Sequence, residues 1–225
     1  MREEEQFTKL CQVMDILLGE NGCPWDRAQT HQSLRPHLLE ESYEVADAID
    51  NNDMVALQEE LGDLLLHVVI HSRIAEKGGF FCLTDVIEGV AEKLVRRHTH
   101  IFADDASDGS PEEVEKIWEA NKNKEKAIFT PLENMQAVPK ALPALDRAQK
   151  VIKRSGKDFP QKEIVKELRL LLDSMEEIAE TAEDSQKLEK YGSCLFLMVA
   201  LLTNFQINAE FSLTNATLAF INSFK

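Results

Sequence analysis

The chain has 225 residues, 44% hydrophobic and 29% charged, with a formal net charge of −15. That length can bury one large core or two small ones, and the composition is ordinary for a globular protein. Residues 1–126 hold 27 acids against 13 bases and residues 127–225 hold 13 against 12, so the first half carries the acid excess; a protein that coats nucleic acid needs a basic face instead, and no such partner is expected.

Hydrophobic spacing is helical nearly throughout and β alternation is absent, which predicts an all-α fold. A first helix is predicted over 5–18, ending at Gly19 and the turn-rich GENGCPWD. A second runs from Pro36, a residue suited to a first helical turn, to Ile49. Asp53 caps a third, which continues to Glu76 and stops at KGGF. Thr84 caps a fourth that reaches His98. DDASDGSP reads as a loop, and Pro111 opens a fifth helix carrying Trp118. FTPLENMQAVPKALP reads as a linker, followed by helices near 144–155, 161–180, 185–205 and 212–223. The expected domains are 1–126 and 127–225.

Four cysteines stand apart with no paired spacing, the start MREEEQF has no apolar signal core, and the longest apolar run, CLFLMVALL at 194–202, is too short for a bilayer. A cytoplasmic location with reduced thiols and no membrane contact is expected.

EELGDLLL at 59–66 returns as EKYGSCLF at 189–196, keeping Glu59/Glu189, Gly62/Gly192 and Leu65/Leu195 but turning Glu60 into Lys190 and Asp63 into Ser193. DRAQ at 26–29 returns at 146–149. A duplicated helical unit explains both economically. In the first copy, Leu38, Ser42, Val45 and Ile49 define a packed stripe, with Glu41 bordering it, Glu44 further round and Glu40 in solvent. In the next helix Leu57, Leu61, Leu64 and Val68 form the stripe, and Glu60, Asp63 and His67 share the neighbouring face. Each helix thus offers two carboxylates at i, i+3, and a short connection lets the pairs converge. Converging carboxylates repel, and a hard divalent cation resolves the conflict; solvated acidic faces are the plain alternative. Gly62, at about 1 kcal/mol of lost helix stability, suggests a close approach to the backbone.

GCPWDRAQTHQSLRPHLLEESYEVADAI followed by LQEELGDLLLHVVIHSRIAEKGGF, and then EKLVRRHTHIF, resembles the MazG family of nucleoside triphosphate pyrophosphohydrolases over about residues 8–126. Its E-E-x-x-E and E-x-x-D pattern is met by Glu40, Glu41, Glu44, Glu60 and Asp63. The resemblance implies an all-α fold in which Glu41, Glu44, Glu60 and Asp63 hold Mg2+, with Mn2+ as the alternative, and carry the hydrolysis. It implies cleavage of canonical or aberrant NTPs and dNTPs to the monophosphate and pyrophosphate. Lys93 and Arg97, one turn apart, and the adjacent Arg96 match positions that contact polyphosphate, although cations at a helix C-terminus also answer the macrodipole. Trp118 could stack on the base with Lys122 near the phosphates, although a helical Trp is by itself more often a core residue; Trp25 and Asp26 either rim the pocket or shape a loop. His67 and His71 read as packing residues rather than zinc ligands.

Family proteins carry two such domains, but the second departs here: KELRL at 166–170 keeps only Glu167 and ends in Leu170, and Lys190 is expected to pair with Glu167 or Glu189. The expected arrangement is two tandem MazG-like helical domains, the second degenerate, with four-helix packing completed in a homodimer. A weakly active nucleotide sensor is the alternative function.

Overall fold

The computed structural model describes residues 2–103, 109–175 and 183–224, and every regular element among them is an α-helix. Loop residues 104–108 and the expected helix beyond 175 lie outside the described residues. The chain divides into two compact units, Met1–Asp108 and Gly109–Lys225. The sequence places the boundary behind the helix that starts at Pro111; the compact units divide ahead of it.

The first unit contains α1 (Arg2–Leu18), α2 (Pro24–Arg27), α3 (His31–Asp50), α4 (Met54–Lys77), α5 (Leu83–Arg97) and α6 (Thr99–Phe102). The chain leaves α1 in a tight turn where the Cys23 N–H donates to the Leu17 carbonyl at 2.8 Å. A Cβ on Gly22 would overlap that same carbonyl oxygen, so this turn needs glycine. Helix α3 starts at His31 rather than Pro36 because Thr30 and Ser33 form a reciprocal cap: Ser33 N–H donates to Thr30 Oγ1 at 3.1 Å and Thr30 N–H to Ser33 Oγ at 2.9 Å. Pro36 therefore lies inside the helix, near enough to its start that one forfeited hydrogen bond is tolerated. Asp53 caps α4 as expected, accepting from the Val55 and Ala56 N–H groups at 3.0 and 3.1 Å. Helix α5 starts at Leu83, one turn being tied by Asp85 Oδ2 accepting from the Cys82 N–H at 2.7 Å, so Thr84 lies within the helix.

Helices α3 and α4, joined by a three-residue turn, Asn51–Asp53, pack as an antiparallel pair, with α1 and α5 against α4. Met14, Leu34, Val69, Ile70 and Leu83 form the dry core, reinforced by Leu10, Leu17 and Leu66.

The second unit contains α7 (Pro111–Glu125), α8 (Pro131–Gln136), α9 (Ala144–Ser155), α10 (Gln161–Asp173), α11 (Asp184–Asn204) and α12 (Ala209–Asn222). Helix α8 falls inside the expected linker, fixed by a box in which Thr130 N–H donates to Glu133 Oε2 at 2.8 Å and Glu133 N–H to Thr130 Oγ1 at 3.2 Å. Its core is built from Ile152, Ile164, Leu168, Leu197, Val199 and Ala200. The packing order α9, α10 and α12 against α11 parallels α1, α3 and α5 against α4. The DRAQ match does not follow that order. Gln29 precedes α3 and accepts from Ser33 Oγ at 2.6 Å, whereas Gln149 is buried within α9, its Nε2 donating to the Ile207 carbonyl at 2.7 Å and its Oε1 accepting from the Ala209 N–H at 3.1 Å. No single described helix is long and apolar enough to cross a membrane.

Because the Thr30 hydroxyl satisfies an otherwise orphaned amide, Thr30→Ala should destabilise the first unit by about 1 kcal/mol. Chemical denaturation should show a lower midpoint with an unchanged slope.

Candidate metal and nucleotide site

The buried side of α3 is not the apolar stripe that composition suggests. Leu34, Leu38, Glu41, Val45 and Ala48 turn inward, while Ser42 and Ile49 are exposed. On α4 the inward positions include Leu57, Glu60, Asp63, Leu64, His67 and Ile70, whereas Leu61 and Val68 are exposed. Glu41 of α3 and Glu60 and Asp63 of α4 thus sit on the α3–α4 seam itself, one position away from the expected phase. The 3.6-residue period carries each inward position through the seam, so a carboxylate at such a position faces its partner helix.

Carboxylate oxygens of Glu41, Glu60 and Asp63 all lie within 4.8 Å of one another, and all three residues are half-buried. Glu44 is exposed and its side chain hydrogen-bonds to Glu41, so it borders this trio. Glu40 faces solvent beside His37, with Oε2 3.6 Å from Nδ1. Burial raises the Glu41 carboxyl above its ordinary 4.5, assisted by the Glu44 hydrogen bond and the charges of Asp63, Glu44 and Glu60. Glu60 is raised too, by loss of solvation and then by Glu44, Glu59 and Asp63. Crowded oxygens that resist ionisation are the donor set a hard cation relieves, and the oxygen-only chemistry suits a hard divalent cation rather than a thiophilic metal. The close backbone approach expected at Gly62 is absent: nothing lies within 4 Å of a Cβ built there.

Of the predicted cations, Lys93 is half-buried, Arg96 exposed and Arg97 buried in the last turn of α5. Lys93 and Arg97 share a face of α5; Arg96 is turned away from it. Trp118 and Lys122 lie on α7, in the second unit, where Lys122 Nζ pairs with Glu119 Oε1 at 2.6 Å. Trp25 stands edge-on to His37 with centroids 6.4 Å apart. Asp26 lines a cleft of about 370 Å3 with Asp15, Arg27 and Arg73 that contains none of the acidic trio.

His67 is buried and His71 half-buried, as packing residues should be. The pairing of His71 with His31 has no local sequence signal: their Nδ1 atoms are 2.7 Å apart and their rings stacked at 5.0 Å. One of these nitrogens must donate and the other accept, which holds the start of α3 on α4. Burial lowers both His67 and His71 below 6.5; His37 and Asp63 then act in opposite directions on His67, while His31 and His67 lower His71 further.

The sequence pattern of the MazG nucleotide pyrophosphohydrolase domain matches residues 29–102. The Thermotoga maritima "nucleoside triphosphate pyrophosphohydrolase/pyrophosphatase MazG" is 37% identical over 222 residues, covering 97% of this chain and 84% of that one. The chain belongs to the MazG family. An Escherichia coli K12 MazG relative, named nucleoside triphosphate pyrophosphohydrolase, is 37% identical over 227 residues, covering 98% of this chain and 86% of its own. A crystal structure of a mazG-related protein from Thermotoga maritima is 31% identical and covers 52% of this chain and 98% of that chain, with a TM-score of 0.44. The matched MazG segment runs from α3 through α6 and so holds the acidic trio and the α5 cations, and ends before Trp118.

In the second unit Ile164, Leu168, Cys194 and Leu197 are buried, and Glu167, Leu170, Lys190 and Ser193 are exposed. Lys190 makes no ion pair with Glu167 or Glu189, so the expected pairing does not form. Ser193 Oγ instead donates to the Glu189 carbonyl at 2.9 Å.

The raised Glu41 and Glu60 values mean that the folded state keeps protons the unfolded chain releases. Their contribution is therefore fully present below 4.5 and is lost as pH rises through the elevated folded values. His67 and His71 act oppositely, stabilising above 6.5 and losing that contribution on acidification. Glu41→Gln, assayed in chelator, should have a melting temperature at neutral pH no lower than the parent. Its stability should vary less than the parent's as pH rises from 4.5; equal pH slopes would mean that Glu41 keeps no proton the unfolded chain releases.

Proposed function

We propose that the first unit hydrolyses nucleoside triphosphates to the monophosphate and pyrophosphate, with Glu41, Glu44, Glu60 and Asp63 holding Mg2+. The observation that carries this reading is the convergence of Glu41, Glu60 and Asp63 oxygens within 4.8 Å on a seam where apolar contacts would otherwise form. When bound, the cation supplies charge neutralisation for the polyphosphate and lowers the pKa of an attacking water. Glu41, Glu60 and Asp63 would hold it from two helices, with Glu44 at the open edge of the trio completing the carboxylate set. Lys93 and Arg97 bind the triphosphate from α5, with Arg96 at its rim. Trp118 and Lys122 stay, as the resemblance implies, candidates for the base and the phosphates, and the i, i+3 pairing of Lys122 with Glu119 at 2.6 Å does not exclude a phosphate partner.

The second unit is proposed to be a degenerate copy that has kept its helical packing and lost its acids. A homodimer is proposed through the first unit, because Leu61, Leu65 and Val68 of α4 and Ile87, Val90 and Leu94 of α5 leave apolar side chains in solvent. The lost acids of the second unit also favour a protein that binds nucleotides with little turnover, and turnover measurements separate the two readings.

Glu41→Gln or Asp63→Asn should reduce pyrophosphate release by at least about 100-fold with the fold intact, as expected when an essential electrostatic group is removed. A variant with parental turnover would remove its residue from the mechanism. Lys93→Ala should weaken triphosphate binding more than monophosphate binding; equal losses would make the residue structural. Lys190→Glu with Ser193→Asp should create no second activity in a Glu41→Gln background, because Leu170 still replaces an acid.

A further inference from the structure

The acidic trio has an open edge, and α3 shows where it leads. At about 100° per residue, His37 and Glu44 lie about 40° and about 60° from Glu41, both to the same side of the helix. Both are exposed, whereas Leu38 and Val45, to the other side, are half-buried. The opening marked by Glu44 therefore continues along α3 to His37, one turn or about 6 Å before Glu41. The path does not stop at that imidazole. Trp25 of α2 stands edge-on to it, with centroids 6.4 Å apart and ring planes at 66°.

Trp25 is 58% exposed. A T-shaped contact steadies the indole and leaves at least one of its faces uncovered, and an uncovered indole face is apolar area that a stacked ring would bury favourably. Tyr43 is equally exposed, at 58%, but lies about 200° from Glu41, on the far side of α3. Of these two aromatics, Trp25 alone borders the open edge. It precedes the segment, residues 29–102, that the MazG pattern matches. We propose that the free face of Trp25, braced by His37, is the shelf on which the nucleobase of the triphosphate stacks; the inference rests on the function proposed above for the acidic trio. A nucleotide whose phosphates meet a cation on the trio then lies along α3, with its sugar beside His37 and its base on Trp25. Stacking reads no base edge, so this shelf accepts every base and holds purines, with their larger ring system, more tightly than pyrimidines. Trp118, the chain's other tryptophan, is the rival for the base, and experiment separates the two.

The test is calorimetric titration of the full-length chain, with Mg2+ present, against two ligands. One is α,β-methylene-ATP, which cannot be cleaved between its α and β phosphorus atoms; the other is inorganic tripolyphosphate, which carries no base. Trp25→Ala should weaken binding of the analogue at least about fivefold, the low end for one base–aromatic stack, and leave tripolyphosphate binding and the melting temperature unchanged. Trp25→Phe, which keeps a π-face, should recover most of that loss. Trp118→Phe leaves Trp25 as the sole tryptophan, and its emission should be quenched by the analogue and not by tripolyphosphate. Parental affinity in Trp25→Ala, a loss shared by tripolyphosphate, an unquenched Trp25, or a loss confined to Trp118→Phe would each overturn the shelf and leave hydrolysis at the trio standing. If instead Glu41→Gln binds both ligands as the parent does, the reading of the trio falls and takes the shelf with it.

Discussion

The first unit depends on one contact, the pairing of α3 with α4 along a seam that is apolar at its ends and anionic in its middle. Leu34 meets the dry cluster of Met14, Val69 and Ile70 at one end, while Ala48 and the Asn51–Asp53 turn close the other. Between them Glu41 faces Glu60 and Asp63. Carboxylates this close would push two free helices apart. The hydrophobic cluster and the short turn hold both ends, so the repulsion is confined rather than released. Electrostatic preorganisation of this kind requires that oxygens be fixed before anything binds, and a helix pair clamped at both ends does that.

The remaining parts of the unit serve the clamp. The glycine turn after Leu17 lays the chain across the end of α1 and delivers Thr30 as the cap of α3. His31, at the start of α3, then meets His71 two turns beyond Asp63. Arg73 ties α4 to α1 with its Nε 2.8 Å from Asp15 Oδ1, and is held in place within α4 by Glu76 Oε2, 2.9 Å from Nη1. These polar ties are partly exposed and individually weak. Their value lies in register, since a slide of α3 along α4 would separate Glu41 from Glu60 while leaving the apolar contacts much as they are.

The helical fold and the identities of the acids were legible in the sequence because period and spacing are local properties. The phase of the seam was not. A stripe chosen from apolar residues must skip Glu41 and prefer Ile49, and a functional site is where a buried position departs from apolar character. Helix α8 carried its own signal in Thr130 and Glu133, masked by the prolines around it. The His31–His71 contact links positions far apart in the chain, and nothing in either neighbourhood announces it. Likewise no local feature says which unit Pro111–Glu125 will join.

The contrast between the two seams reaches beyond catalysis to how the polypeptide ages. A cation held as proposed by the acids of α3 and α4 would stabilise the first unit in proportion to the logarithm of its free concentration, whereas the apolar α10–α11 seam has no such dependence. Under cation shortage the two halves would therefore lose their resistance to proteases at different rates, with openings along α3 and α4 exposing peptide bonds first. What survives such clipping would be the half without the acidic trio. On that reading the lifetime of the first unit would be tied to the supply of the ion its acids hold.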